Sequence, residues 1–165
     1  MAQSVSRGGA EDSRSPRGRD RLTPRKARPM IDRMHGLQLT ADLHGCARGA
    51  PLGDREALRT TVLGAVHAAG LTPVGELFHR FPDGSDAGGV TGVVLLAESH
   101  VALHTWPELG AVTLDIYVCN RSTDNGARAE ALLAALEAAF APARAERQRV
   151  RRGSLPEPAA ARAAA

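Results

Sequence analysis

In two segments of this chain, apolar and polar residues alternate one by one. The apolar positions are Leu37, Leu39, Ala41 and Leu43 in the first segment and Val112, Leu114, Ile116 and Val118 in the second. Because successive side chains of a strand point to opposite sides, this alternation predicts strands with one buried face and one polar face. Such strands must pair in a sheet whose apolar side is covered by other elements.

Two further segments have helical spacing and can supply that cover. Apolar residues recur every three or four positions at 58–69 and 129–140, with Asp54 placed to cap the first helix and Gly70 to end it. Additional strands are predicted at 72–81, 90–97, 101–106 and, less regularly, 145–152. The order β-α-β-β-β-β-α-β predicts an α+β fold, a two-layer α/β sandwich with a mainly antiparallel sheet and two helices on one face. The other face needs cover, which a second copy of the chain would provide.

The ends of the chain differ in composition from its middle. The first 30 residues hold eight Arg or Lys and three acids, although the whole 165-residue chain has a net charge of only +3. Residues 1–33 are therefore predicted to be a disordered basic leader, and the Pro- and Ala-rich residues 154–165 a disordered tail. Residues 34–153 remain as one domain. Since the positive charge belongs to the leader, we expect no binding of nucleic acid by the domain.

The cysteine content and the absence of long apolar runs limit the class of protein. Two cysteines, Cys46 and Cys119, are too few for a disulfide framework, and their spacing fits no metal-binding motif. No apolar run is long enough to span a membrane, and no signal-peptide hydrophobic region follows Met1. These features predict a cytoplasmic protein without a metal site or a membrane partner. Cys46 is expected to be a core residue.

Residues 95–108 concentrate side chains that can carry chemistry. They include Ser99, two His, two Glu and the only Trp of the chain. A turn near Leu109 predicts a hairpin that places Ser99 opposite Cys119. His104 lies five residues beyond Ser99 on the same strand, about 16 Å away if the strand is straight. Direct cooperation between Ser99 and His104 would therefore require a bend at the start of this strand.

The same stretch carries a resemblance to a known family. The matching strings are Glu98-Ser99-His100, His104-Thr105-Trp106-Pro107-Glu108 and Leu114-Asp115-Ile116-Tyr117-Val118-Cys119, with weaker similarity from Gly36 to Gly153. The chain resembles the short prokaryotic S-adenosylmethionine decarboxylase family, whose members are pyruvoyl-dependent and are made as proenzymes. The resemblance implies conversion of S-adenosylmethionine to decarboxylated S-adenosylmethionine and CO2 for spermidine biosynthesis.

The resemblance further implies that the chain cleaves itself between Glu98 and Ser99. Ser99 would attack the carbonyl carbon of Glu98 and turn the amide into an ester. His104 would be the proton acceptor in the elimination that follows. The products would be a β chain, 1–98, and an α chain, 99–165, that begins with a pyruvoyl group made from Ser99.

In the mature enzyme, the resemblance assigns the remaining roles to a few side chains. The pyruvoyl group made from Ser99 would form a Schiff base with the substrate amine, so that no pyridoxal phosphate is needed. Cys119 would be the proton donor in catalysis, Glu108 would bind the ribose hydroxyls and Phe81 would stack on the adenine. Thr91, where relatives usually have Ser, would assist processing. The processed protomers would act as a homodimer.

Two features depart from the family pattern. The loop from Pro82 to Val90 is several residues longer than expected, and it follows Phe81, so it could displace the adenine-stacking position. Gln38 stands where many relatives have His. Neither departure affects the strings that carry the resemblance.

Other functions remain open from the sequence. A pyruvoyl-dependent ornithine or arginine decarboxylase would share the chemistry, but it would need acidic residues around the substrate's cation. An unprocessed, non-enzymatic regulatory relative would have no chemical need for Ser99, His104 and Cys119. The leader would be a nucleic-acid-binding tail, a targeting peptide or a dispensable extension. The candidate start sites are Met1, Met30 and Met34.

Overall fold

A six-stranded antiparallel sheet with two helices against it forms the centre of the structure, which is a computed structural model. The structure describes residues 35–81, 88–121 and 123–153. The predicted leader (1–33) and tail (154–165) lie outside the described residues, as do residues 82–87 of the predicted loop.

The elements follow the predicted order. The strands are β1 (Gly36–His44), β2 (Pro73–Arg80), β3 (Val90–Leu96), β4 (Ser99–Trp106), β5 (Ala111–Cys119) and β6 (Arg144–Arg152), and the helices are α1 (Arg55–Ala68) and α2 (Gly126–Phe140). The strands lie in the order β2-β3-β4-β5-β1-β6, and every neighbouring pair is antiparallel. The α+β sandwich predicted from the sequence is confirmed.

Both helices pack on one side of the sheet, and the core lies between the two layers. The alternating apolar residues of β1 and β5 are buried, and they meet Leu58 and Val62 of α1 and Leu132 and Leu136 of α2. Each fully buried side chain of this size contributes about 1.5–3 kcal/mol by leaving water. Burial of this one face therefore fixes both helices to the sheet.

The ends of α1 follow the capping residues predicted from the sequence. Asp54 Oδ1 accepts hydrogen bonds from the backbone N–H groups of Glu56 and Ala57, both at 3.0 Å. At the other end Gly70 has φ 71°, which glycine adopts without a steric penalty, and its N–H bonds to the His67 carbonyl. Neither α1 nor α2, the two α-helices of the described residues, is long and apolar enough to cross a membrane.

The β4–β5 hairpin differs by one residue from the predicted register. Ser99 pairs with Val118, so Cys119 lies one residue beyond the position expected opposite Ser99. The cause is the connection between the strands, in which residues 107–110 form a 3₁₀ turn that ends with Gly110 in a left-handed conformation at φ 56°. With these four residues as the connection, Trp106 pairs with Ala111 rather than with Val112, and the whole register is displaced by one residue from the prediction.

The edge strand β6 is held to α2 by ion pairs. Arg147 binds Glu137 through two hydrogen bonds of 2.6 and 2.7 Å, and this carboxylate raises the pKa of Arg147. Arg149 Nε lies 3.2 Å from Glu130 Oε1. Since β6 has little apolar alternation, the sequence indicated this strand only weakly. Its charge also disfavours pairing with a further strand.

The side of the sheet opposite the helices, here called the open face, is not covered by any of the described elements. Large apolar side chains on it are exposed, among them Leu77 (66%), Leu95 (52%) and Val150 (46%). Exposed apolar groups of this size on one surface are typical of a surface that another molecule covers. The open face therefore fits the need for a second copy that the sequence predicted.

Replacement of Asp54 by Ala removes the acceptor for two N–H groups of α1, and we expect it to lower the free energy of unfolding by about 1 kcal/mol. Asp54→Asn keeps an acceptor oxygen at the cap and is the matched control. Urea denaturation followed by circular dichroism measures both variants. Equal stabilities of the two variants would contradict the capping role.

Candidate active site

The predicted cleavage site lies in a two-residue hairpin turn. β3 ends at Leu96 and β4 begins at Ser99, and these two residues pair with each other. Ala97 and Glu98 form the connection, and the Ala97 N–H donates a hydrogen bond to the Thr72 carbonyl at 2.9 Å. The peptide bond between Glu98 and Ser99 is therefore held at the end of the sheet.

Ser99 has a backbone conformation that residues with a side chain rarely adopt. Two-residue hairpins favour turns with a positive φ at a central residue, which suits Gly, Asn or Asp. Neither Ala97 nor Glu98 has a positive φ, whereas Ser99 has φ 153°. Such a conformation costs of order 1–3 kcal/mol in a non-glycine residue. The strain is therefore located in the residue that follows the predicted cleavage site.

The Ser99 hydroxyl is buried and has no hydrogen-bond partner among the described residues. Burying an unpaired hydroxyl costs free energy, about 1–3 kcal/mol. The cost is tolerated here in a residue that is also strained. An oxygen in this state, next to a carbonyl in a tight turn, is available for attack on that carbonyl.

The carbonyl of Glu98 is polarised by a backbone donor from β5. The Cys119 N–H donates a hydrogen bond to the Glu98 oxygen at 2.9 Å. A backbone N–H in this position stabilises negative charge that develops on the oxygen when the carbonyl carbon is attacked. The structure thus brings Cys119 to the predicted cleavage site, although the register differs by one residue from the prediction.

Two buried asparagines that the sequence did not single out surround the same junction. Asn125 Nδ2 donates to Glu98 Oε2 and to the Cys119 carbonyl, each at 3.0 Å. Asn120 Oδ1 accepts a hydrogen bond from the Asn125 N–H at 2.9 Å. Both asparagines are buried. In the sequence they precede a helix and look like ordinary turn and capping residues, so only the tertiary structure reveals these contacts.

His104 and Thr91 lie together, far along the sheet from Ser99. They are paired between β4 and β3, and Thr91 Oγ1 is 2.9 Å from His104 Nδ1. The register of β4 continues without interruption from Ser99 to His104, so the bend that direct contact requires does not occur in this described strand. Five residues of regular strand separate the two by about 16 Å. Within one chain, His104 does not reach Ser99.

The residues predicted to bind substrate share the end of the sheet where His104 lies. Phe81 is stacked on Trp106, with ring centroids 6.3 Å apart and planes inclined by 21°. Glu108 is exposed on the 3₁₀ turn that follows Trp106. The predicted site residues of one chain therefore form two groups, one around the cleavage site and one around His104.

The two cysteines are free thiols in different surroundings. Cys46 packs against the core, and burial raises the pKa of its thiol, which favours the unreactive protonated form. Cys119 is half-buried at the end of β5, beside the cleavage site. Within the part of the chain that the structure describes, no three His, Cys, Asp or Glu residues are grouped so that they could hold a metal ion.

Comparison with protein families gives one match, which covers most of the chain. A family model described as S-adenosylmethionine decarboxylase matches residues 37–153. The chain belongs to the S-adenosylmethionine decarboxylase family. This is an enzyme family, and the match confirms the resemblance that the sequence carries.

Relatives of this decarboxylase family member occur in several bacteria. A proenzyme from Persephonella marina is 35% identical over 127 residues, which cover 76% of this chain and 88% of the relative. Proenzymes from a Synechococcus strain and from Aquifex aeolicus are 40% and 46% identical over 54% and 51% of this chain, and those matches span 66% and 58% of the relatives' length. The matches to these two relatives thus span less than two thirds of their length.

A solved decarboxylase structure has the same fold. The crystal structure of the adenosylmethionine decarboxylase from Aquifex aeolicus matches with a TM-score of 0.62 and 33% sequence identity. The match covers 76% of this chain and 97% of that protein. The sheet and helices described above are therefore those of the decarboxylase family.

Strain at Ser99 can be measured by comparing two variants that both lack the hydroxyl. Glycine adopts φ near 153° without strain, whereas alanine does not. We expect Ser99→Gly to be more stable than Ser99→Ala by about 1 kcal/mol, which is the strain relieved less the extra chain entropy that glycine loses on folding. Urea unfolding of both variants gives the difference. An alanine variant that is more stable than the glycine variant by about 0.5–1 kcal/mol, the entropy difference alone, would show that position 99 is unstrained.

Proposed function

We propose that this chain cleaves itself between Glu98 and Ser99 and then decarboxylates S-adenosylmethionine to S-adenosyl 3-(methylthio)propylamine and CO2. The observation that carries the proposal is the turn itself, where a strained residue, an unpaired buried hydroxyl and a polarised carbonyl meet at one peptide bond. Attack of a serine on the carbonyl that precedes it benefits from each of these conditions. The family match favours this activity over a basic amino acid decarboxylase or a non-enzymatic relative.

In the first step, Ser99 Oγ forms a bond to the Glu98 carbonyl carbon to give a tetrahedral intermediate, and the bond from that carbon to the Ser99 nitrogen then breaks. The hydroxyl proton ends on the nitrogen, which becomes an amine, and the amide becomes an ester. The Cys119 N–H, already 2.9 Å from the carbonyl oxygen, stabilises the charge on the tetrahedral intermediate. Loss of the peptide geometry releases the strain at Ser99 and offsets part of the energy of the ester.

In the second step, a base removes the α-proton of Ser99 and the bond between Cβ and Oγ breaks. Glu98 leaves with a free α-carboxylate, which becomes the C-terminus of chain 1–98, and position 99 becomes dehydroalanine. Water then displaces ammonia and leaves a pyruvoyl group at the start of chain 99–165. The imidazole of His104 suits the proton transfer, and Thr91, 2.9 Å from its Nδ1, holds the ring in place.

Because His104 lies about 16 Å along the strand from Ser99, we infer that this base comes from the partner subunit of a homodimer. A second copy would cover the exposed Leu77 and Leu95 of the open face. If two open faces pack about a two-fold axis that crosses the strands, each end of one sheet meets the opposite end of the other. His104 of the partner subunit then lies beside Cys119 and the cleavage site.

In catalysis, the pyruvoyl group supplies an electrophilic carbonyl that accepts the electrons released when CO2 leaves. The chain's own residues bind the substrate and move a proton. Phe81, stacked with Trp106, offers an aromatic surface for the adenine and the sulfonium cation, and Glu108 offers carboxylate oxygens for the ribose hydroxyls. Cys119 donates a proton to the carbon that lost CO2, which requires a reduced thiol and fits a cytoplasmic location.

Intact mass of the purified full chain tests the self-cleavage. We expect two chains, 1–98 and 99–165, the second lighter by one ammonia than a peptide that begins with free serine. The cleaved enzyme should release labelled CO2 from carboxyl-labelled S-adenosylmethionine and none from ornithine or arginine. Ser99→Ala, the control, should remain one inactive chain. A wild-type chain that stays uncut after long incubation would exclude both the pyruvoyl group and the decarboxylation.

Coexpression of two inactive variants tests whether His104 acts across the dimer. His104→Ala lacks the base and Ser99→Ala lacks the nucleophile, so neither should be cleaved alone. In a mixed dimer, the Ser99→Ala chain supplies His104 to the intact serine of the other chain. We therefore expect the His104→Ala chain, identified by a tag, to be cleaved only in the mixture.

The control for this mixture replaces Ser99→Ala with a chain that lacks both Ser99 and His104 and therefore supplies no base. This control mixture should stay uncut. Purified mixed dimers that form but contain no cleaved chain would contradict action across the dimer.

A further inference from the structure

We infer that Asn125 is a positioning residue for self-cleavage, because its side-chain amide holds Glu98 and Cys119 in the arrangement from which Ser99 attacks. The inference rests on the self-cleavage proposed above. Asn125 lies outside the sequence strings that carry the family resemblance, and it acts through Glu98 and Cys119 rather than on the reacting atoms themselves.

The Asn125 side chain does not make the local bond that its position offers. Asn125 is the N-cap of α2, where an asparagine side chain usually accepts a hydrogen bond from an N–H two or three residues later. The Asn125 side chain makes no such bond, and the first N–H of the helix, that of Gly126, bonds to the Asp124 carboxylate at 2.8 Å. The amide nitrogen of this buried capping residue is thus directed away from its own helix, towards the Cys119 carbonyl and towards Glu98, which lies 27 residues earlier in the chain.

The partners of Asn125 allow only one orientation of its amide. Nδ2 donates one hydrogen bond to Glu98 Oε2 and one to the Cys119 carbonyl, each at 3.0 Å, and Arg128 Nη1 donates to Oδ1 at 3.1 Å. Arginine only donates, whereas a carboxylate and a carbonyl only accept, so a flipped amide would lose all three bonds. Asn125 therefore connects the side chain before the cleavage site to the backbone that polarises the carbonyl.

Packing alone does not hold Glu98 in this position. A cavity of about 140 Å³ adjoins it, lined in part by Glu98, Asn125 and Arg128. This space leaves room for other rotamers of the Glu98 side chain, and the amide of Asn125 holds the rotamer that lies against the Cys119 backbone. Because misplacement by about 1 Å is enough to slow a reaction strongly, the hydrogen bonds of Asn125 should control the cleavage rate.

The rate of self-cleavage of freshly synthesised full-length chain, followed on a denaturing gel, tests this role. Asn125→Ala removes both donors and should slow cleavage about tenfold, the rate equivalent of one charge-assisted hydrogen bond. Asn125→Asp keeps the shape but places a second carboxylate against Glu98, and it should slow cleavage about a hundredfold.

A second substitution separates positioning from a general effect on the fold. In a Glu98→Gln background, the new amide at position 98 can donate to the carboxylate introduced by Asn125→Asp. We expect the double variant to cleave at least about tenfold faster than Asn125→Asp alone. If Asn125→Asp slows cleavage by the same factor in both backgrounds, the contact with Glu98 has no role and the inference is overturned.

Leu136→Val is the matched control, because Leu136 is fully buried and lies on α2 about 16 Å along the helix from Asn125. It should lower the unfolding temperature and leave the cleavage rate within about twofold of wild type. If both Asn125 variants cleave at the wild-type rate, the inference about Asn125 is refuted and the proposed function is unaffected. An uncut wild-type chain would instead refute the proposed function on which it rests.

Discussion

Burial of one face of an antiparallel sheet under two helices is the interaction on which the other features of this molecule depend. The sheet has β4, β5 and β1 at its centre, and their inward side chains, such as Leu103, Ile116 and Leu39, are almost completely buried. Because both helices lie on the same side, the opposite face is left without cover from the described elements. The same packing that stabilises the fold thus leaves an apolar surface that the proposed homodimer would cover.

The central position of β4 also explains how a strained residue is retained. Ser99 is the first residue of this strand, and β3 and β5 pair with it on both sides. The strand end therefore cannot relax without breaking the ladder bonds of two neighbours. The unusual φ at Ser99 and its unpaired hydroxyl are unfavourable in free energy, and the favourable burial of the whole core offsets them. Strain held in this way is available to promote the proposed cleavage.

Much of the fold could be predicted from the sequence, but less of the site. The motif strings identified Ser99 and His104 together with the family, yet their spacing on a regular strand puts them about 16 Å apart in one chain. The sequence indicated that a bend was needed for contact, and the structure has none. The predicted pairing of Ser99 with Cys119 was wrong by one residue, because the length of a turn is difficult to predict from residues that suit several turn types. Asn125 gave no signal beyond that of an ordinary capping residue.

The sequence by itself determined those features whose causes lie within a few neighbouring residues. Alternation sets which side of a strand is buried, and Asp54 and Gly70 set the ends of α1, because each effect acts within one or two turns of the chain. The tertiary structure alone decided the contact of Asn125 with Glu98, the hydrogen bond from Cys119 to the cleavage site and the separation of Ser99 from His104. These depend on how strands and helices distant in sequence align, which hydrophobic burial and loop length fix together only when the whole chain has folded.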